Sequence, residues 1–329
     1  MLLVLELDVA DLAATRFAIS PLHETLRALP LLADPGHSAV NRPWVRWALA
    51  ELEQGPLRLP RVWPLIVTDL PYLPEFLFPA PAGKAPGFDE ELAAVCAAPA
   101  EAVLASLHRV FGDGRWPDSA TELAERPRET LAAIAAEVAD YHYRLIAPHW
   151  ERMRAVLDAD VSYHAGLLAG GGARSLFSDL HPGLRWSAGQ LFMTDADAEQ
   201  DPHVELGPDG LVLVPSVFTW PDWSVKKATS TQTTLLYPAR GAGTVWESLK
   251  AVPADAAAVE LLLGALRSPA TTSALARRFG VTPSAVSQHL AVLHRGGLLD
   301  RERSGRRVLY RTSQLGLALL DQAAARSGS

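Results

Sequence analysis

The chain has 329 residues, 49% of them apolar, enough to bury one large core or two ordinary ones. Its single cysteine, Cys96, excludes an internal disulfide and fits a reducing cytoplasm, the expected location. The net charge of −7 does not point to nucleic acid by itself, and no segment approaches the ~20 uninterrupted apolar residues of a membrane span. Residues 2–7 are apolar but short, run into Glu6 and Asp8 and lack a basic leader, so they read as a first strand and not as a signal peptide.

A short helix is expected near 9–17. Ser20 and Pro21 then open a helix that would bury Leu22, Leu26 and Leu29 and end at Pro35 and Gly36. A Trp-bearing segment, 43–52, gives way to a Pro-rich stretch, 56–86. That stretch is irregular yet rich in aromatic residues, which disordered segments lack, so it reads as a packed loop. Helical spacing follows at 90–97 and 100–111, and again over 127–157, where Pro148 bends or breaks the helix, and 161–168. Gly170, Gly171 and Gly172 mark a break. Beyond it the period shortens to that of strands at 185–194, 203–206, 211–218 and 233–237, and the turn Gly207-Pro208-Asp209-Gly210 predicts a hairpin between the middle two. Strand 2–7 is expected to join this later sheet.

Chemistry is sparse in this part of the chain. His142 and His149 stand seven apart on one helical stretch, as two metal ligands would, but no third ligand is in register, and an exposed or core-edge role for both is favoured. Asp195, Asp197, Glu199 and Asp201 alternate like the start of a calcium loop, yet Gln200 stands where that loop requires glycine, which leaves a solvated acidic loop. The glycine triple lacks the spacing and preceding strand of a dinucleotide site and reads as a hinge or cap. Trp220 and Trp223 read as packing or pocket lining. No serine segment forms a nucleophile elbow. No catalytic residue, metal or cofactor is therefore expected, and the protein is not read as an enzyme.

The C-terminal part is far more explicit. An apolar helical run, 257–266, leads through Ser268 and Pro269 into a short helix, 272–279, ended by Gly280. Thr282 and Pro283 then supply both parts of a helix start signal, and a second helix, 283–294, closes on Gly296 and Gly297. Val286, Leu290 and Leu293 recur at helical spacing and would pack inward, leaving Ser284, Ser287, Gln288, Ala291 and Arg295 outward. Small polar side chains let a helix enter the major groove, where Gln bonds an adenine edge and Ser either kind of edge. Two runs, 298–303 and 306–312, joined by Ser304 and Gly305, fit a basic hairpin, and a last apolar helix covers 314–325. Together these parts describe a winged helix-turn-helix.

Charge is split along the chain. Residues 1–266 hold 20 Lys+Arg against 34 Asp+Glu, whereas residues 267–329 hold 10 Arg against Asp300, Glu302 and Asp321. An acidic body thus carries a basic head. Phosphate contacts by cations release counterions and supply much of the affinity for DNA, and Arg301, Arg303, Arg306, Arg307 and Arg311 are where that term is expected. Arg277 and Arg278 point outward from the first helix, as solvated groups or as phosphate contacts. His289 stands near the groove or merely at the helix edge.

The run from Thr271 to Ser313 resembles the winged-helix domain of the arsenic-repressor (ArsR/SmtB) family of bacterial transcription regulators. It does so in its Leu-Ala-x-x-x-Gly-Val-x-x-x-x-Val-Ser-x-His-Leu-x-x-Leu core, the Gly-Leu step after the second helix and the Gly-Arg-Arg-x-x-Tyr hairpin. The resemblance implies a homodimer on an imperfect palindrome. It places Ser284, Ser287, Gln288 and His289 at or near the groove, Thr272 at a phosphate, and Arg303, Arg306 and Arg307 in the wing; Thr282 and Arg295 complete the expected DNA-facing set. Metal-sensing members carry Cys pairs before the turn or His and Asp in the last helix. Here Thr271 to Ala276 offers no thiol and the last helix only Asp321, so metal sensing is not carried over. The upstream region is similar to the uncharacterised N-terminal extension of long regulators of the same family in GC-rich bacteria, through Thr-Arg-Phe-Ala-x-Ser-Pro-Leu at 15–22, Val-x-Val-Pro-Ser at 212–216 and Tyr-Pro-Ala-Arg-Gly at 237–241.

The expectation is an α+β protein. A large mixed N-terminal domain, residues 1–250, with helices and a small, mostly antiparallel sheet, would serve as sensor or oligomerisation platform. It precedes the winged helix-turn-helix, residues 251–329. The expected partners are double-stranded DNA, a second copy of the chain and a small-molecule effector held upstream, with repression the expected mode. The alternative is a metabolite-binding protein or enzyme with an attached DNA-binding head.

Overall fold

In the computed structural model the chain divides into two compact units, Met1–Trp246 and Glu247–Ser329. The structure describes residues 2–70, 72–194, 203–206, 210–226, 232–246, 265–266, 269–279, 286–287, 290–291, 293–294, 297–304, 307–314, 316–317 and 320; for residues 2, 203–205, 303–304 and 307 it describes the backbone alone. The expected strands at 2–7 and 203–206 lie within this set, while the acidic loop 195–201 lies outside the described residues.

The first unit is mixed helix and strand, as expected for α+β, but it holds two sheets in place of one. In the first, strand β1 (Leu2–Glu6) lies between β4 (Gln190–Thr194) and β5 (His203–Glu205), antiparallel to one and parallel to the other, and β3 (Leu184–Ser187) closes the far edge. The N-terminal strand thus joins the later sheet, as its apolar run predicts. In the second, β2 (Arg16–Phe17), β6 (Val212–Ser216) and β8 (Thr234–Pro238) run parallel, and β7 (Ser224–Lys226) pairs antiparallel at the edge. All five residues of β6 and of β8 are buried, which is why these strands read as unbroken apolar runs. Leu211, Leu213, Leu235 and Tyr237 face a core shared with Leu3, Leu5, Leu191 and Met193 of the first sheet. Val212, Val214 and Leu236 alternate to the other side and pack with Ala18 and Ala80.

Pro215 sits inside β6 without breaking it. Val212 donates its N–H toward β8, so the N–H positions of 213 and 215 face β2, whose Arg16 and Ala18 N–H groups bond the Leu211 and Leu213 carbonyls. The proline stands where the next N–H would bond the Ala18 carbonyl, so the pairing with the edge strand β2 ends there.

Several expected elements are redrawn. The strand expected over 185–194 is a hairpin of β3 and β4, turning at Ala188 (φ 51°) and Gly189 (φ 81°), two successive positive-φ positions that match the twist of a two-residue loop. Alanine at the first of them hid the turn. The hairpin expected between 203–206 and 211–218 does not form, because β5 and β6 belong to different sheets. Gly210 (φ 68°) instead lies against helix α1 (Val9–Ala14), where a Cβ would stand 2.7 Å from the Asp11 carbonyl oxygen. The helix expected over 9–17 ends at Ala14, and Arg16 turns away to pair with Leu211 and to bond the Pro81 and Gly83 carbonyls.

Helix α2 (Pro21–Ala33) starts as its sequence directs. Ser20 Oγ accepts the His23 N–H at 3.0 Å, Pro21 takes the first position, and Leu22, Leu26 and Leu29 are buried. Helix α3 (Arg42–Gln54) carries Trp44, wholly buried beside Phe218 and Trp246. The Pro-rich stretch is a packed loop that contains helix α4 (Trp63–Ile66) and a 3₁₀ turn at Glu75–Leu77, and it buries Val62, Leu65, Ile66, Phe76, Leu77 and Phe78. Helices α5 (Phe88–Cys96) and α6 (Ala100–Phe111) follow. Helix α7 (Asp118–Glu125) was not foreseen; it opens after Pro117 and buries Ala120 and Leu123. Among the described residues no single helix is long and apolar enough to cross a membrane.

Helix α8 (Pro127–Tyr141) passes through a π-turn at His142–Ile146 and a 3₁₀ turn at Ala147–His149 into α9 (Trp150–Leu180). Pro148 lacks an N–H and its ring clashes with a regular helix, so the irregular turns fall around it. Helix α9 continues past 168, through the glycine triple, and breaks at Gly172 (φ 68°, ψ −170°). His164 Nε2 comes within 3.4 Å of Asp179 Oδ2 although fifteen positions of straight helix would span ~22 Å. The chain therefore doubles back at the glycine, which makes the expected hinge a reversal.

Glu91, on α5, sends Oε2 to the Leu22 N–H at 2.9 Å while its buried Oε1 has no partner. Burial pushes this carboxyl up from 4.5 to about 7, against hydrogen bonds from Ser20 and Leu22. The folded state therefore holds the proton more tightly than the unfolded chain. That contribution is complete below the unfolded value and is lost as pH rises through about 7. Glu91→Gln keeps the acceptor for Leu22 and removes the ionisation. Its stability relative to wild type should rise between pH 5 and pH 8 by on the order of 2–3 kcal/mol, measured by urea unfolding at the two pH values. A pH-independent difference would contradict this.

Candidate nucleic-acid interface

The head condenses around Leu266, Leu275, Ala276, Val286, Leu290, Leu293, Leu299 and Leu320, all buried. Helix α11 (Thr272–Phe279) is capped by Thr271, whose Oγ1 accepts the Ala274 N–H at 3.2 Å; Leu275 and Ala276 face the core, and Arg277 and Arg278 are exposed. The second helix is described at 286–287, 290–291 and 293–294. Val286, Leu290 and Leu293 are buried there, and Ser287 and Ala291 are exposed, so its two faces divide as the spacing implies.

The end of this helix explains how the next element is aimed. Leu298 N–H bonds the Leu293 carbonyl and Gly297 N–H the His294 carbonyl, while Gly297 takes φ 72°. This is the six-to-one and five-to-two pair of a Schellman ending, with glycine at its left-handed position and Leu298 folded onto the core. His294 Nδ1 lies 2.8 Å from the Leu299 carbonyl, tying the helix to the first wing strand.

Strands β9 (Leu299–Ser304) and β10 (Arg307–Thr312) pair antiparallel, with Arg307 opposite Ser304 and Arg303 opposite Val308. A third strand position, not foreseen, is supplied by Ala270, which exchanges both backbone hydrogen bonds with Tyr310 at 3.0 and 2.9 Å. Arg301 and Arg311 are exposed, and the contact of Arg311 with Asp300 at 3.8 Å joins two mostly exposed side chains, too weak to neutralise the arginine.

Of the expected DNA-facing residues, Thr272 is half-buried at the first position of α11, Ser287 is exposed on the second helix, and the backbones of Arg303 and Arg307 lie in the wing strands. Thr282, Ser284, Gln288, His289, Arg295 and Arg306 lie outside the described residues.

In the first unit His142 and His149 are both built into the core. His142 stacks on Phe88 at 3.6 Å and places Nδ1 2.7 Å from Thr25 Oγ1; His149 meets the edges of Trp47 and Trp246. Burial lowers both to about 4, so both are neutral at neutral pH. The sequence reading missed two polar clusters. One gathers Asp160, His164, Tyr237 and Arg240, and only the Tyr-Pro-Ala-Arg-Gly motif hinted at it. The other gathers His23, Arg27 and Lys226 near Phe78, from segments too far apart in the chain to announce themselves.

A helix-turn-helix domain model matches residues 262–302, and a family of unknown function, DUF5937, matches residues 116–243. No curated protein and no solved structure matches the chain. The head is a helix-turn-helix domain of the DNA-binding regulator class. The DUF5937 match runs from the start of α7 into α10 (Ala242–Val245), taking in the reversal at Gly172 and most of both sheets.

Proposed function

We propose that the protein is a transcription regulator of the arsenic-repressor type that binds an imperfect palindromic operator as a homodimer and represses from it. It has no catalytic activity of its own, and its acidic first unit serves as sensor. The observation that carries this reading is the division of the second helix, with Val286, Leu290 and Leu293 buried and Ser287 and Ala291 exposed, beside a hairpin that carries five arginines. Two such heads, about 34 Å apart, would enter successive major grooves while wing arginines hold the flanking phosphates. Thr272 at a helix start suits a phosphate; Ser284, Ser287, Gln288 and His289 supply base contacts, and Thr282 and Arg295 flank them.

Fluorescence anisotropy on selected operator DNA, with the full chain, tests the division of roles. Gln288→Ala should alter base preference and cost about 1–3 kcal/mol on the preferred site. Arg306→Ala should weaken all sequences alike and lower the slope of log K against log salt by about one unit. Equal losses for both variants on every sequence would refute the assignment, and absence of duplex binding at low salt would refute the function.

A further inference from the structure

Lys226, the last residue of β7, places Nζ 3.3 Å from the centre of the Phe78 ring. His23, on α2, meets the same ring edge-on at 5.5 Å, and Arg27 follows it one turn later on the same helix face. Arg27 and Lys226 are each half-buried. The Arg27 Nε is sealed from solvent without a hydrogen-bond partner, and among the described residues neither cation enters an ion pair. Burial drives Lys226 well below the ordinary lysine range; Glu75 opposes this and Arg27 adds to it. Burial also lowers Arg27, against Asp222 and Glu24, and holds His23 near 3, with Lys226 contributing.

The neighbouring carboxylates are held from other sides, Glu24 through one oxygen alone, its buried Oε2 having no hydrogen-bond partner. Glu24 Oε1 accepts the Val217 N–H at 2.9 Å, Asp222 Oδ2 lies 2.7 Å from His37 Nε2, and Glu75 Oε1 lies 3.1 Å from an Arg109 guanidinium nitrogen. Apart from the Phe78 face under Lys226, neither cation has a partner among the described residues, and a partly buried cation without a paired charge attracts a ligand of opposite sign. Arginine adds a planar fork that fits oxyanions through two parallel hydrogen bonds.

We infer that Arg27 and Lys226, beside Phe78, form a binding site in the first unit for the carboxylate or phosphate group of a small molecule. As the effector site of the regulator it rests on the function proposed above; as an anion site it does not.

Titration calorimetry on the full chain, with sodium phosphate and separately with sodium acetate at ionic strength fixed by chloride, tests it. Saturable one-to-one binding of at least one anion is expected; the stronger of the two identifies the chemistry. Arg27→Gln and Lys226→Met should each weaken it about tenfold or more, the value of one charge-assisted hydrogen bond, and Arg27→Lys should recover part of the loss. Without added anion both variants should melt at or above the wild-type temperature, since each removes an unpaired, poorly solvated charge. Lys226→Met keeps an unbranched side chain of similar length beside Phe78 and carries the test alone should Arg27→Gln fail to fold. No saturable heat with either anion, or wild-type affinity in both variants, overturns the site. No DNA enters the assay, so that failure leaves the regulator reading standing, and failure of DNA binding leaves the site standing.

Discussion

Leu290→Ala should unfold the head near physiological temperature and abolish duplex binding while the melting of the first unit stays unchanged. Leu290 is wholly buried in the core of the head, in one cluster with residues from both helices and the wing. Truncating such a leucine costs about 2–5 kcal/mol, because the transfer free energy is lost and a cavity remains. A small domain has little to spare, since total stabilities run at ~5–15 kcal/mol and small units bury proportionately less surface. At about 4–8 °C per kcal/mol for a domain of this size, the shift is large enough to resolve by calorimetry. Ser287→Ala, on the exposed face one turn before, should leave melting within about 0.5 kcal/mol and act on DNA alone. The pair tests the orientation of the helix. Loss of binding in Leu290→Ala without any thermal shift would mean that this residue faces the groove, and the division of faces would be inverted.

The head was legible because its determinants are local. Apolar residues three and four apart and a glycine at the left-handed position each act within one or two turns, and each stands in the structure where it can be inspected; the start signal read at Thr282 lies outside the described residues, and the threonine cap at Thr271 was not foreseen. The strand position at Ala270 escaped because a single extended residue after Pro269 carries no pattern; only its pairing with Tyr310, forty residues on, makes it part of the sheet.

The first unit was legible in its elements and opaque in its connections. The apolar run of β1 announces a strand, but which strands flank it is decided by partners near 190 and 204. Strand β6 is buried on both faces, so its sequence does not say to which sheet it belongs, and the Gly-Pro-Asp-Gly turn before it suggested the wrong one. The two residues of β2 have no signature beyond their neighbours. The polar clusters were hidden for the same reason. His23 and Lys226 meet on the Phe78 ring only after the sheet has formed, and His164 meets Asp179 only because the chain reverses at Gly172.

Asp160→Ala should be the most damaging polar substitution in the first unit, at about 3–5 kcal/mol. The carboxylate is 2% exposed and gathers two donors from one distant stretch of chain, beside a histidine of its own helix. Its Oδ2 accepts the Tyr237 hydroxyl at 2.7 Å and stands 3.1 Å from His164 Nδ1, and its Oδ1 accepts the Arg240 N–H at 2.8 Å. These bonds tie α9 to the end of β8 and to the turn that leads into α10. Alanine leaves the Tyr237 hydroxyl, in a fully buried side chain, without an acceptor, and stranding a buried donor costs about 1–3 kcal/mol in addition to the bond itself. Burial, reinforced by Asp160, raises the Tyr237 phenol well above its ordinary range, so it stays a donor at any pH the fold survives. Asp160→Asn keeps the shape and the acceptor for Arg240 but turns an amide toward the phenol, and should cost roughly half as much. Tyr237→Phe removes only one donor and should cost about 1 kcal/mol. Urea unfolding of the three single variants and the Asp160→Ala, Tyr237→Phe double variant closes a cycle, in which a coupling of about 1–3 kcal/mol is expected for groups in direct contact. Additive losses would show that the carboxylate and the phenol stabilise the unit independently, and a loss below about 1 kcal/mol in Asp160→Ala would show that the helix is held to the sheet by packing alone.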